Sequence, residues 1–132
     1  MGRRLALLVA TSRYAAGNLR ELPAPAEEAP VLARLLEDPQ IGAFDSVDCL
    51  VNARKSEVER HIEELFRDRD PDDLVLLHVS GHGLKNDHER LFFASSDTDL
   101  ERPYSTAVPA MLVQHLLDEC EARAKVVLLD CC

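Results

Sequence analysis

A chain of 132 residues with 46% hydrophobic and 30% charged side chains is one domain's worth of protein, able to bury a core and too apolar to stay disordered. Its formal net charge of −9 argues against nucleic acid as a partner, because phosphate binding needs a basic surface. No apolar run approaches the ~20 residues of a membrane span, so no membrane partner is expected.

Residues 5–10 are apolar throughout and read as a central strand. The basic pair before them, Arg3-Arg4, superficially resembles the start of a secretory leader, but the apolar stretch is short and lacks a good cleavage site. Residues 11–24 are a long loop broken by Gly17, Asn18 and Pro23. A helix is expected over 25–36, with Glu27 and Glu28 in its first turn, where the helix dipole favours acids. Pro30 is tolerable only if it too lies in that turn, and Val31, Leu32, Leu35 and Leu36 form the buried stripe. Asp38-Pro39 stops the helix. Residues 46–51 make a more polar strand, nearer an edge. Ser56-Glu57-Val58-Glu59 has the capping-box pattern and opens a helix to about Asp68, with Val58, Ile62, Leu65 and Phe66 on its apolar face.

After the turn Asp70-Pro71-Asp72-Asp73 comes Leu74-Val75-Leu76-Leu77-His78-Val79, expected as a strand buried on both faces. It runs into Ser80-Gly81-His82-Gly83, a turn of small residues around one imidazole, where glycines leave the backbone bare and the ring presented. A polar loop over 85–90 leads to a short strand at 91–94, an irregular exposed loop at 95–106 and a helix at 109–122 burying Leu112, Leu116, Leu117 and Cys120. The last strand, 125–132, ends at Cys132. Strand–helix alternation with long connections predicts a single α/β domain over 1–132, with helices on both faces of a mostly parallel sheet.

Parallel strands bring their carboxyl ends to one edge, where open α/β sheets place their chemistry. His82 and Cys132 lie 50 residues apart, both at such ends. That pairing is what thiol catalysis needs: Cys132 as nucleophile, His82 to keep the thiolate available and to protonate the leaving amine, and the Gly83 and Cys132 N–H groups to hold the oxyanion. The remaining polar groups read as structural. His78 is expected to be a packed or capped core histidine, His88 a group of an exposed loop, His61 and His115 helix residues without a chemical role, and Ser80 a shaper of the turn. The turn lacks a phosphate-loop spacing, which disfavours a nucleotide-binding domain. The four cysteines have neither disulfide-framework nor zinc-ligand spacing, so the cytoplasm is the expected compartment and no cofactor is expected.

Leu77-His78-Val79-Ser80-Gly81-His82-Gly83, followed by Leu128-Leu129-Asp130-Cys131-Cys132, resembles the large-subunit half of caspase-like cysteine peptidases, especially bacterial members and metacaspases. The resemblance covers nearly the whole chain and implies a caspase-like three-layer αβα sandwich, truncated after the strand that bears the cysteine. It implies that the nucleophile stands two residues after the aspartate, which selects Cys132 over Cys131. It further implies that Asp130 lines the pocket for the side chain preceding the cut bond. Glu28 matches a second acid at the start of the first helix, so the expected substrate is a polypeptide with Arg or Lys before the cut. Some metacaspases are activated by calcium, for which Asp97-Thr98-Asp99 is the candidate loop, although an acidic loop is more often simply solvated.

Family members continue past the cysteine into a small-subunit portion that completes the groove. Without it, the carboxylate carried by Cys132 would repel a thiolate, and the isolated chain is expected to be inactive or nearly so. A rival reading is a non-catalytic caspase-like module that binds or scaffolds.

Overall fold

The computed structural model describes residues 2–131. Four parallel strands make the main sheet: β1 (Arg4–Ala10), β2 (Ser46–Val51), β3 (Leu74–Gly81) and β7 (Ala124–Cys131), in the order β2-β1-β3-β7. A second, antiparallel sheet joins β4 (Gly83–Lys85), β5 (Leu91–Phe93) and β6 (Val108–Pro109). Four helices complete the chain: α1 (Pro23–Glu37), α2 (Lys55–Phe66), α3 (Pro103–Thr106) and α4 (Ala110–Glu119). Among the described residues, no helix is long and apolar enough to cross a membrane.

The strand order explains where a site can form. From β1 the chain goes outward to β2, then returns past β1 to β3 on the other side. The exits of β1 and β3 therefore stand side by side at a switch point on the carboxyl edge, where open α/β sheets place their sites. Side-chain alternation divides the core into two layers. Leu5, Leu7 and Val9 of β1 and Val75, Leu77 and Val79 of β3 pack with Val58, Ile62, Leu65 and Phe66 of α2, the four residues expected from its periodicity, and with Val113 of α4. Ala6, Leu8 and Ala10 are buried on the opposite face, where α1 packs on β1 and β2.

Several local expectations are corrected. Helix α1 starts at Pro23, so Glu27 and Glu28 fall beyond the first turn and Pro30 sits in the interior. The early start costs little: Pro23 and Pro25 have no N–H to leave unpaired, and the Ala26 N–H donates to Ser12 Oγ at 2.8 Å. Its buried residues are Pro25, Ala29 and Ala33, while Val31 and Leu35 are nearly half exposed. Small side chains therefore carry the packing of α1 on β1 and β2. No side-chain cap forms at the start of α2; Asp97, 42 residues away, accepts the Lys55 N–H at 2.9 Å. Strand β3 is buried fully on one face only: Leu74, Leu76 and His78 are half-buried, and among the described residues the buried His78 Nδ1 has no hydrogen-bond partner. The 95–106 segment is neither wholly exposed nor wholly irregular: buried Thr98 accepts the Ser95 N–H and donates to the Thr106 carbonyl, and Pro103–Thr106 form α3. In α4 only Val113 is buried, with Leu112, Leu116 and Leu117 partly so, and Cys120 buried just beyond its end.

One carboxylate ties the amino edge of the sheet together. Buried Asp73 accepts the Arg3 N–H and the Asp70 N–H, each at 2.8 Å. The Arg3 N–H above all, then the Asp70 N–H, hold its carboxyl below the usual carboxylate range, with the Arg69 and Arg3 charges adding to the effect. A carboxylate depressed in this way stabilises the fold above its unfolded pKa, and that contribution disappears as pH falls through the lower folded value. Asp73→Asn should therefore lower Tm at pH 7, and the gap to wild type should close as pH drops below about 4. Thermal melts across pH check this; a gap that stays constant down to pH ~3 would exclude the charge as its cause.

Candidate active site

His82 stands directly after β3, and its backbone is shaped by its neighbours. Gly81 has φ +147°, a conformation L side chains rarely adopt, and a Cβ there would lie 2.7 Å from the Tyr14 hydroxyl. The loop over 11–22, leaving β1, wraps this turn. It is pinned by the Thr11 N–H to the Ser80 carbonyl (3.0 Å), by Asn52 Oδ1 accepting the Ser12 and Arg13 N–H groups, and by the Leu22 N–H to the Ser12 carbonyl.

Two groups of that loop reach His82. The Tyr14 hydroxyl accepts the His82 backbone N–H at 2.9 Å, and the Arg20 carbonyl lies 2.9 Å from His82 Nε2. A carbonyl can only accept, so Nε2 carries the proton and, in the neutral ring, Nδ1 is left as the basic nitrogen. This is the arrangement of a base oriented by a third group. Neither Tyr14 nor Arg20 was among the expected site residues, and the sequence holds little that would single them out. One acts through a carbonyl, which every residue has, and the other sits in a loop without regular pattern.

Gly83 opens β4 opposite Phe93. The ladder bond runs from the Ala94 N–H to the His82 carbonyl, which makes Gly83 and Phe93 a non-hydrogen-bonded pair. The Gly83 N–H is thus not consumed by β5, as an oxyanion donor requires.

Strand β7 pairs with β3 in parallel register, Ser80 opposite Asp130 and Gly81 opposite Cys131. Cys132 lies outside the described residues. Cys131 turns its half-buried thiol toward the core, 3.9 Å from the Val79 carbonyl. Cys49 lies on edge strand β2, where partial burial pushes its thiol up, and Cys120 is buried at the end of α4.

Asp130 is exposed and lines a cleft of about 170 Å³ with Gly81 and the start of α1, from Leu22 to Pro25. That volume is below the ~300–1,000 Å³ of drug-sized ligand pockets and suits a single side chain. Glu28 is exposed on α1 and does not line this cleft. A second, apolar cleft of about 340 Å³, lined by Gly83, Leu84, Phe93, Leu129 and Cys131, adjoins the histidine turn. The larger groove of about 690 Å³ lies elsewhere, between β5 and α4, and includes none of His82, Gly83 or Asp130.

The candidate calcium loop spends its carboxylates internally. Asp97 accepts the Lys55 N–H, and Asp99 accepts the Glu101 N–H and pairs with Arg102 at 2.9 Å. Those bonds, first the Glu101 N–H and then Arg102, hold the Asp99 carboxyl below its usual range. Among the described residues, no three His, Cys, Asp or Glu side chains are grouped to hold a metal.

A histidine turn at the switch point of a parallel sheet, with helices on both faces, defines an α/β domain of caspase-like architecture. The chain belongs to the caspase domain family, whose model matches residues 3–132. Its fold is similar to the crystal structure of caspase-1 from Spodoptera frugiperda, with a TM-score of 0.70 at 17% identity. The match covers 99% of this chain and 48% of that one, so the chain spans about half the length of the structure it resembles. No curated protein matches it.

Proposed function

We propose that the chain carries the catalytic groups of a cysteine endopeptidase that cuts polypeptides after Arg or Lys, using a Cys132–His82 dyad. The observation that carries this reading is the register of β3 and β7: Gly81 and Cys131, the residues immediately before His82 and Cys132, are partners. The Cys132 thiolate attacks the scissile carbonyl, and the developing oxyanion takes hydrogen bonds from the Gly83 and Cys132 N–H groups. Protonated His82 gives its proton to the leaving amine, the C–N bond breaks, and a thioester remains. Water then adds to the thioester, losing its proton to His82, and the released thiolate starts the next cycle.

The cleft beside Gly81 is the proposed seat of the side chain before the cut. Asp130 on its wall would pair with a guanidinium or ammonium. Glu28 is proposed as a supporting acid; its place outside the cleft lining makes Asp130 the stronger determinant. A further portion of the protein is proposed to complete the groove. Supporting this, β7 is an edge strand with Val126, Leu128 and Leu129 exposed at 36–50%, and the chain covers 48% of its structural relative. The chain without that portion should turn over little substrate. The absence of disulfide or zinc spacing among its cysteines favours a reducing, cytoplasmic setting.

Fluorogenic peptides ending in Arg, Lys or Asp, offered to the intact protein with and without calcium, test the proposal. Cleavage after Arg or Lys is expected, and Asp130→Asn should lower kcat/KM for those peptides by about 10–100-fold, with Glu28→Gln costing less. Cleavage only after Asp would keep the dyad and remove the acidic pocket. No cleavage of any peptide would shift the assignment to a non-catalytic binding module.

A further inference from the structure

We propose that Tyr14 is a positioning residue for His82, its hydroxyl setting where the imidazole stands. This rests on the reading of His82 as the acid–base group. Three features of the fold converge on one oxygen atom. It accepts the His82 N–H at 2.9 Å and donates to the Thr11 carbonyl at 2.8 Å, joining the exits of β1 and β3 at the switch point. The turn leaves room for it: a Cβ on Gly81 would stand 2.7 Å from this oxygen. The tyrosine ring also lies beside the imidazole, with centroids 4.9 Å apart and planes at 56°.

Tyr14 and Arg20 belong to the same loop but grip different parts of His82. Arg20 holds the ring through Nε2, and Tyr14 holds the backbone from which the ring projects. An imidazole held at only one of these points can swing, and its Nε2–H bond to the carbonyl then competes with solvent. Nδ1 would no longer be presented in one place and one tautomer. If Tyr14 served only as packing, the ring alone would suffice and phenylalanine would replace it silently.

Tyr14→Phe deletes one oxygen and keeps the ring, so the fold is expected to persist. The ¹⁵N imidazole shifts of His82, read on this chain at a pH where the ring is neutral, should report a single Nε2–H tautomer in wild type. In the variant they should move toward averaged values. In the intact protein the same substitution should lower kcat about tenfold or more while KM stays within about twofold, and should alter the pH–rate profile.

Gly81→Ala serves as the second variant. It should displace the same shifts, and by less in the Tyr14→Phe background, because the crowding hydroxyl is gone. Unchanged His82 shifts in Tyr14→Phe overturn the proposal whatever the activity, as does additive behaviour of the two substitutions. Displaced shifts in a protein that cleaves no peptide would support the positioning role and sink the peptidase reading.

Discussion

Replacing His82 with alanine should lower peptide cleavage by the intact protein by about three orders of magnitude or more, through kcat. The loss is large because, in the proposed mechanism, the ring would serve twice, keeping the nucleophile deprotonated and supplying the leaving amine's proton. Among the described residues no other imidazole is held by this turn: His78 points from the sheet face, His61 bonds the Glu57 carbonyl on α2, and His88 and His115 are exposed. The fold should be nearly indifferent, since His82 is half-exposed and its backbone bonds survive the substitution. A melt would separate the two effects, with Tm expected within about 2 °C of wild type. A variant retaining a tenth of the activity would remove His82 from the chemistry.

The largest effect on stability is expected from Leu77→Ala. Leu77 is 0% exposed in central strand β3, part of the core formed by the sheet and α2. Its truncation removes buried methyl groups and leaves a cavity, which together cost about 2–5 kcal/mol. For a domain of this size that lowers Tm by roughly 10 °C or more. Leu129→Ala makes the informative contrast. The same chemical change in β7, where the side chain is 50% exposed, should alter this chain's stability by about 0.5 kcal/mol or less. Equal losses at the two positions would mean that the core described between β3 and α2 is wrong.

Much of the domain could be read from residue order. The apolar runs at β1 and β3 mark the centre of the sheet, and the spacing of Val58, Ile62, Leu65 and Phe66 announces one face of α2. Periodicity survives folding because it reports which side of an element meets apolar neighbours. It failed at α1, where the spacing predicts a stripe of large aliphatic residues and alanines carry the contact instead. Which face of a helix meets a sheet depends on how the sheet receives it, here across β1 and β2, and no window within the helix contains that information. The capping pattern at Ser56 failed similarly, because Asp97 supplies the acceptor from a distant loop.

For the site, the sequence by itself determined the chemical groups: the glycine-flanked imidazole of His82, the Gly83 amide, the acid at Asp130 and the thiols beside it. The histidine, the glycine and the thiols are visible because a polar, reactive or side-chain-free residue breaks an apolar run where the strand must end, whereas Asp130 enters through the family resemblance alone. Only the tertiary structure decided how the imidazole is held, that its proton rests on Nε2 against the Arg20 carbonyl, and that Asp130 rather than Glu28 walls the cleft beside Gly81. The physical reason is that these are contacts between loops leaving β1 and β3 and the strand beside them. Residues 68 and 62 positions apart meet with a backbone group on one side of each contact, which carries no sequence signature, and they meet only because the strand order brings those loops together.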